Sequence, residues 1–345
     1  MKLLDVTPAE SLTNLAGLQR HLLRTSSKPK TLTAEGYLAL SEEDKEAYDD
    51  ARILYLNREL TVDTPAVTAA LSDVRRLLRS NYGKASGRHG LLLSGPPRAG
   101  KTHTALAILR ATMNRYLADY PDPRAEGIVP VVFIDVPPAA TAKSMMHQFC
   151  DFLGMTRGPR FTLEELTYMA TQTMLRGRTA LIVVDEVHNL NNSSANTRDA
   201  IRALKGLSNA LPATFIYCGV NLEKNGLLSG DEGLQIAGRF TLRRMLPHSY
   251  GSLHDRDEWG LTVQAFETGV GLINAGERCL DAHEEYLFSR TSGSIGSLGY
   301  LIRSAAIELI LSDAVHEHGE ERITRELLDS IPLDLAAERG ADLDG

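Results

Sequence analysis

The chain has 345 residues, of which 43% are hydrophobic and 23% charged, as in ordinary globular proteins of one large or two average domains. The net charge of −7 argues against a surface coated with cations for nucleic acid, without excluding a local basic surface. With three scattered cysteines, no signal-peptide pattern and no apolar run near the roughly 18 residues of a membrane span, we expect a cytoplasmic protein with no membrane partner.

The first part of the chain is polar and is predicted to form a helical extension, partly flexible, over residues 1–60. Its Ser-Ser-Lys-Pro-Lys segment at residues 26–30 is typical of a flexible joint. Ser41 and the acidic residues after it resemble a capping box and predict a helix that runs towards Leu60. Apolar residues at helical spacing predict a second helix over residues 66–80. Its other face is interpreted as solvated, the alternative being a nucleic-acid or subunit contact, and it carries Arg75, Arg76 and Arg79.

A glycine-rich segment lies between a predicted strand at residues 89–94 and a predicted helix at residues 102–117. It fits the phosphate-loop (Walker A) pattern Gly-x-x-x-x-Gly-Lys-Ser/Thr, in which backbone N–H groups wrap a polyphosphate and glycines avoid obstructing it. We therefore predict that the chain binds ATP, that Lys101 contacts the β- and γ-phosphates, and that Thr102 binds Mg²⁺. The predicted nucleotide-binding residues are Gly95, Pro96, Pro97, Arg98, Ala99, Gly100, Lys101, Thr102 and His103.

Apolar runs that alternate with helical patterns indicate an α/β fold with a five-stranded parallel sheet between helices. From about residue 252 onward only helical patterns occur, which predicts a small all-helical domain. The further strands are expected at residues 129–135, 179–184, 214–218 and 240–246. The predicted domains are the extension at 1–60, an ATP-binding core at 61–250, a helical domain at 251–331 and a disordered tail at 332–345.

The third predicted strand ends in two adjacent carboxylates, Asp185 and Glu186 (the Walker B position). Ligands bind at the carboxyl ends of the strands in sheets of this kind. Asp185 is predicted to hold Mg²⁺ through water, and Glu186 to orient and deprotonate the water that attacks the phosphate. The sequence therefore predicts an ATPase that forms ADP and phosphate. His188, which follows, is interpreted as a structural loop residue.

Together these segments resemble AAA+ ATPases, and more narrowly the TniB family of transposition ATPases, relatives of TnsC and more distantly of MuB. The resemblance spans roughly residues 37–331. The phosphate loop and the Asp-Glu pair are general to AAA+ proteins, whereas Asp-Val-Pro-Pro-Ala at residues 135–139 and Val-His-Asn-Leu at residues 187–190 narrow the match. The resemblance implies a P-loop AAA+ core followed by a small helical lid domain.

The resemblance also implies roles for residues outside the phosphate loop. Arg239 matches the arginine finger, which in such families acts on ATP bound by the neighbouring subunit; the alternative is an ordinary surface arginine. Asn221 resembles the polar sensor residue, and Thr64 and Pro65 match the position that closes over the nucleotide base. The lid departs from many AAA+ proteins, because glycine replaces the sensing arginine within residues 293–296.

What the resemblance implies for function is an ATP-dependent regulator of transposition. Its subunits are expected to assemble on target duplex DNA as a ring or helical filament, to recruit or activate a DDE-type transposase, and to disassemble on ATP hydrolysis. The expected DNA contacts, which are independent of base sequence, are Lys143, Arg157 and Arg160. Two alternatives stay open: an AAA+ helicase loader or defence-system ATPase switch, and an ATP-binding scaffold with negligible turnover, against which Glu186 argues.

Overall fold

The described part of the chain forms two compact units. The first, here called the sheet unit, contains the described residues of Val6–Arg24 and Pro65–Met245. The second, the helical unit, contains those of Thr25–Thr64 and Leu246–Gly345. The four domains drawn from the sequence stay predictions. The structure, a computed structural model, describes residues 11–24, 27–58, 60–121, 127–155, 160–190, 195–224, 233, 237–276 and 278–333.

A five-stranded parallel sheet forms the centre of the sheet unit, as predicted. Its strands are β1 (Gly90–Ser94), β2 (Val131–Asp135), β3 (Leu181–Asp185), β4 (Thr214–Gly219) and β5 (Phe240–Arg244). They lie in the order β2-β3-β4-β1-β5, and each neighbouring pair is parallel. The first four strands are buried apart from Asp135, because their continuous apolar residues pack under helices. Strand β5 lies at an edge and is partly exposed.

Helices surround the sheet and make up the second unit. Among the described residues, none has both the length and the apolar character needed to cross a bilayer. The helices are α1 (Leu15–Leu23), α2 (Ala34–Leu38), α3 (Glu42–Arg58), α4 (Pro65–Asn81), α5 (Lys101–Asp119), α6 (Ala142–Phe152), α7 (Leu163–Arg176), α8 (Ala195–Ala210), α9 (Leu253–Val270), α10 (Glu284–Thr291), α11 (Ile295–Leu311), α12 (Ala314–His318) and α13 (Arg325–Ser330). Short 3₁₀ turns cover Val187–Asn189 and Asp281–His283.

Capping boxes determine where α6 and α7 begin. At α7, the backbone N–H of Glu165 donates to Thr162 Oγ1 (3.2 Å), and the backbone N–H of Thr162 donates to Glu165 Oε2 (2.7 Å). At α6, Thr141 and Ser144 exchange equivalent bonds of 3.1 and 2.8 Å. Each box satisfies two donors that a helix start leaves free. The box at Thr162 is predicted from the sequence and is confirmed.

Helix α1 belongs to the sheet unit, although it precedes the joint at residues 26–30. Leu18 and Leu22 are buried in the hydrophobic core that also contains the strands. The side chain of Asn14 caps the helix by accepting from the backbone N–H of Gly17 (2.8 Å). The sequence predicts a helical extension over residues 1–60 without a separate helix at this place, and α1 makes part of that segment a component of the sheet unit.

The part of the helical unit that the structure describes contains helices and no strand. Trp259 of α9 is fully buried at its centre, donates from Nε1 to the carbonyl oxygen of Glu284 (2.8 Å), and meets Phe288 edge to face at 5.5 Å. Arg52 of α3 forms a buried two-bond ion pair with Glu321, including Nη1 to Oε1 at 2.8 Å. A buried charge is tolerated only when paired in this way, so α3 is an integral part of this unit.

Candidate active site

The phosphate loop connects β1 to α5 at the carboxyl edge of the sheet, as predicted. Gly100 has φ 81°, in the left-handed region that glycine tolerates best, and it directly precedes α5. A Cβ at Gly95 would lie 2.0 Å from the carbonyl oxygen of Met245, so only glycine fits against the end of β5. Because α5 begins directly after Gly100, the backbone N–H groups of its first turn face the loop, and a helix start of this kind is a suitable anion site.

Lys101 is held inside this loop. Its side chain is buried (7% exposed for the residue), and Nζ donates to the carbonyl oxygens of Gly95 (3.0 Å) and Pro96 (2.6 Å). Burial lowers the pKa of Lys101, while the nearby carboxylates of Asp185 and Glu186 oppose that shift. The result is a positioned cation at the place where the pattern predicts phosphate binding.

The two predicted Mg²⁺ ligands are brought into direct contact. Thr102 Oγ1 donates to Asp185 Oδ2 at 2.7 Å. Thr102 follows β1 and Asp185 is the last residue of β3, and β4 lies between these two strands in the sheet. Asp185 is 3% exposed, and its Oδ1 accepts from the backbone N–H of Glu186 (2.8 Å). A hydroxyl and a carboxylate oxygen side by side form a hard oxygen donor set, which fits Mg²⁺.

Glu186 leaves β3 with an unusual backbone. Its φ of 55° and ψ of 28° lie in the left-handed region, which is uncommon for a residue other than glycine and is concentrated at functional sites. This conformation starts the 3₁₀ turn Val187–Asn189 directly after the strand. The Glu186 side chain is 41% exposed, and Oε2 lies 3.3 Å from His188 Nε2. The carboxylate is thus accessible to water, as a general base requires.

The segment after β4 lies between the phosphate loop and the two carboxylates, because β4 separates β1 from β3. Asn221, the predicted sensor residue, is exposed in this segment with φ 45°. Ser94 at the end of β1 accepts from the backbone N–H of Leu222 (2.9 Å) and donates to Glu223. Glu223 also accepts from Arg244 Nε at 3.2 Å.

These contacts tie the Asn221 segment to the strand that enters the phosphate loop. The site predicted from the sequence does not include Ser94 or Glu223. The sequence feature that could have indicated this contact is the serine immediately before the loop, because a buried hydroxyl needs a hydrogen-bond partner.

Arg239 lies at the amino ends of the strands, whereas the phosphate loop lies at their carboxyl ends. It directly precedes β5, whose first residue Phe240 pairs with Gly90, the first residue of β1. Its carbonyl oxygen accepts from the backbone N–H of Gly90 (3.0 Å), and its exposed guanidinium donates to Asn209 Oδ1 (2.9 Å). The structure therefore does not bring Arg239 together with Lys101 of the same chain.

Other predicted site residues lie elsewhere. Thr64 is buried at the end of one unit, and Pro65 is the first residue of α4 in the other, so their role at the nucleotide base stays a prediction. His103 is half-buried in the first turn of α5. Arg160 is exposed shortly before α7, and Arg157 lies outside the described residues.

Lys143 is exposed in the first turn of α6 and lines a groove of about 780 Å³ between α6, α7 and α8. Tyr168 and Glu164 of α7 and Asp199 and Arg202 of α8 also line it. Arg202 and Asp199 pair at 3.2 Å. Because two cations and two carboxylates share the groove, it is not uniformly basic, and DNA contact by Lys143 stays a prediction.

The parallel sheet with order β2-β3-β4-β1-β5, a phosphate loop after β1 and an Asp-Glu pair after β3 define a P-loop ATPase of the AAA+ class. The family model of the bacterial TniB protein matches residues 52–250, more than half of the chain. The chain therefore belongs to the TniB family, and the predicted resemblance is confirmed.

Solved structures support the fold. The ORC1 protein of Aeropyrum pernix, solved in complex with DNA, is similar with a TM-score of 0.58 and 16% identity, over 85% of this chain and 70% of that one. The ORC2 protein of the same organism, solved as ADPNP-ADP complexes, has a TM-score of 0.51 and 12% identity, over 94% and 71%. At such identities the likeness shows the fold alone. No curated protein sequence matches the chain.

Proposed function

We propose that this chain is an ATP-hydrolysing regulator of transposition that assembles on target DNA in its ATP-bound state and recruits or activates a DDE-type transposase. Hydrolysis then drives disassembly. The observation that carries the proposal is the hydrogen bond from Thr102 to Asp185, which joins the two halves of a nucleotide site in a member of the TniB family.

The residues at the carboxyl ends of the strands have separate roles in ATP hydrolysis. Lys101 and the N–H groups at the start of α5 would hold the phosphates, and Thr102 and Asp185 would hold Mg²⁺, directly or through water. When bound, Mg²⁺ compensates charge on the phosphate oxygens. Glu186 takes the proton of the attacking water, a role that contributes roughly 10²–10⁴ in rate.

DNA binding is expected to be weak for one subunit and strong for an assembly. The net charge of −7 and the mixed groove beside Lys143 leave each subunit only small basic surfaces. Many such surfaces acting together on one duplex add their effects without needing a large patch on any subunit. The similar ORC1 structure was solved with DNA, which is consistent with the proposal.

The test compares the parent chain with Glu186→Gln, which keeps the shape of the side chain and loses the base. We expect Glu186→Gln to bind ATP normally, to release phosphate at least about 100-fold more slowly, and to form longer-lived ATP-dependent assemblies on duplex DNA. Glu308→Gln, an exposed position on α11, is the matched control and should behave as the parent. Phosphate release and sedimentation with duplex DNA are the measurements.

Four results would contradict the proposal. Parental turnover by Glu186→Gln would remove that residue from the chemistry. Negligible turnover by the parent, with and without duplex DNA, would favour an ATP-binding scaffold. ATP hydrolysis without any assembly on DNA, or assembly without an effect on strand transfer by a DDE-type transposase, would favour a helicase loader or another ATPase switch.

A further inference from the structure

His188 lies between two residues that directly follow neighbouring strands of the sheet, Glu186 after β3 and Val220 after β4. Its Nε2 lies 3.3 Å from Oε2 of Glu186, which follows β3. Its Nδ1 lies 3.4 Å from the backbone nitrogen of Val220, which follows β4 and directly precedes Asn221. The imidazole therefore connects the proposed catalytic carboxylate to the segment of the predicted sensor residue.

The direction of each bond follows from the partners. A backbone N–H can only donate, so Nδ1 of His188 must accept from Val220 and carries no proton. In the neutral ring the proton is then on Nε2, where it can donate to the Glu186 carboxylate. This arrangement leaves the other carboxylate oxygen of Glu186 available for water.

The surroundings hold the ring in this place. A Cβ at Gly219 would lie 3.1 Å from the backbone nitrogen of His188 and 3.3 Å from its Nδ1, so glycine at the end of β4 permits the close approach. The turn that carries His188 is fixed at its far end, where Asn189 Nδ2 donates to the carbonyl oxygen of Val136 (2.8 Å). The backbone N–H of Asn189 also donates to the carbonyl oxygen of Glu186 (2.9 Å).

We propose that His188 is a positioning residue for Glu186: its imidazole accepts from Val220 and donates to the Glu186 carboxylate, so that the end of β4 sets the orientation of the base. The inference rests on the proposed role of Glu186 in ATP hydrolysis. It replaces the interpretation of His188 as a structural loop residue. His188 touches neither water nor phosphate in this role and acts only through Glu186.

Two substitutions separate the two bonds of the ring. The oxygen of asparagine can occupy the place of Nδ1, so His188→Asn keeps the acceptor for Val220 and loses the donor to Glu186. The amide nitrogen of glutamine can occupy the place of Nε2, so His188→Gln keeps the donor. We expect His188→Asn to lower kcat about tenfold or more, as for loss of a hydrogen bond to a charged group, with unchanged ATP Kd. His188→Gln should lower kcat less than His188→Asn does, because it loses the bond from Val220 but keeps the donor to Glu186.

A double variant distinguishes this inference from the function on which it rests. In a Glu186→Gln background, His188→Asn should have no further effect on residual turnover, because the group it positions is gone. Parental turnover by Glu186→Gln would overturn both proposals. Loss of turnover in Glu186→Gln with parental kcat in His188→Asn would overturn only the positioning role. Equal loss in His188→Asn and His188→Gln, or weaker ATP binding in both, would mean a structural role and would also overturn it.

Discussion

Replacing Arg239 tests whether the ATPase site is shared between subunits. Arg239 lies beside the first residue of β1, whereas Gly95 begins the phosphate loop after the last residue of β1. The strand β1, which separates the two, has five residues. At about 3.3 Å per residue it spans about 16 Å, which is farther than an arginine side chain reaches. Arg239 therefore cannot reach the phosphate loop of its own chain, so an arginine finger at this position would have to act on the nucleotide of another subunit.

The expected magnitude is large because charge develops on the γ-phosphate oxygens during transfer. A guanidinium aimed at that charge contributes roughly 10³–10⁵ in rate when it is supplied by another molecule. Arg239→Ala alone should therefore lose nearly all ATPase activity while its ATP Kd stays parental. Lys101→Ala alone should also be nearly inactive, because it binds ATP more weakly and lacks the cation at the phosphates, but it still presents Arg239.

Mixing the two variants is the decisive assay. At some subunit interfaces, the intact nucleotide site of an Arg239→Ala subunit then faces the intact Arg239 of a Lys101→Ala subunit. Phosphate release should therefore partly return, and it should rise more than linearly with protein concentration. Arg202→Ala, an exposed arginine on α8, is the matched control and should neither lose activity nor affect recovery. Absence of recovery, despite confirmed co-assembly of the two variants, would refute the shared site.

Further outcomes follow from contacts already described. Lys101→Ala should weaken ATP binding by about 2 kcal/mol, roughly 30-fold in Kd by calorimetry, with unchanged circular dichroism; unaltered Kd would contradict the assigned loop. Glu321→Ala should destabilise the helical unit by about 3 kcal/mol in denaturant unfolding, because it leaves the buried Arg52 charge with only its single bond to Asp49. The exposed Asp199→Ala is its control and should unfold as the parent. Lys143→Ala should weaken binding to all duplex sequences similarly and reduce its salt dependence; a loss confined to one sequence would count against a phosphate contact.

The parts of the fold that the sequence predicts are those with a local signature. The buried strands are uninterrupted apolar runs, and the phosphate loop and the Asp185-Glu186 pair are contiguous patterns at strand ends. Each element can be recognised because its residue types are required within a few positions. The same holds for the capping box at Thr162, where two side chains three residues apart satisfy one helix start.

Contacts between distant segments could not be predicted in this way. Ser94 meets Glu223 because β4 is inserted beside β1, and no local pattern encodes that neighbour. His188 reads as an ordinary loop histidine until Val220 is placed against its ring. Helix α1 is short, and a helix of nine residues depends on its packing partner, α5, which follows much later in the chain.

The interleaving of the two units along the chain has a consequence for synthesis. The polypeptide enters the sheet unit with α1, passes to the helical unit, returns at α4, and passes to the helical unit again after Met245. Arg52 leaves the ribosome long before its partner Glu321, because the two residues are 269 positions apart. Neither unit can complete its core from the first part of the chain, and long-range closure of this kind slows folding. A nascent chain that stops before Glu321 would therefore leave Arg52 with the 3.3 Å bond to Asp49 but without its buried two-bond partner, and Leu56 of α3 without its complete core.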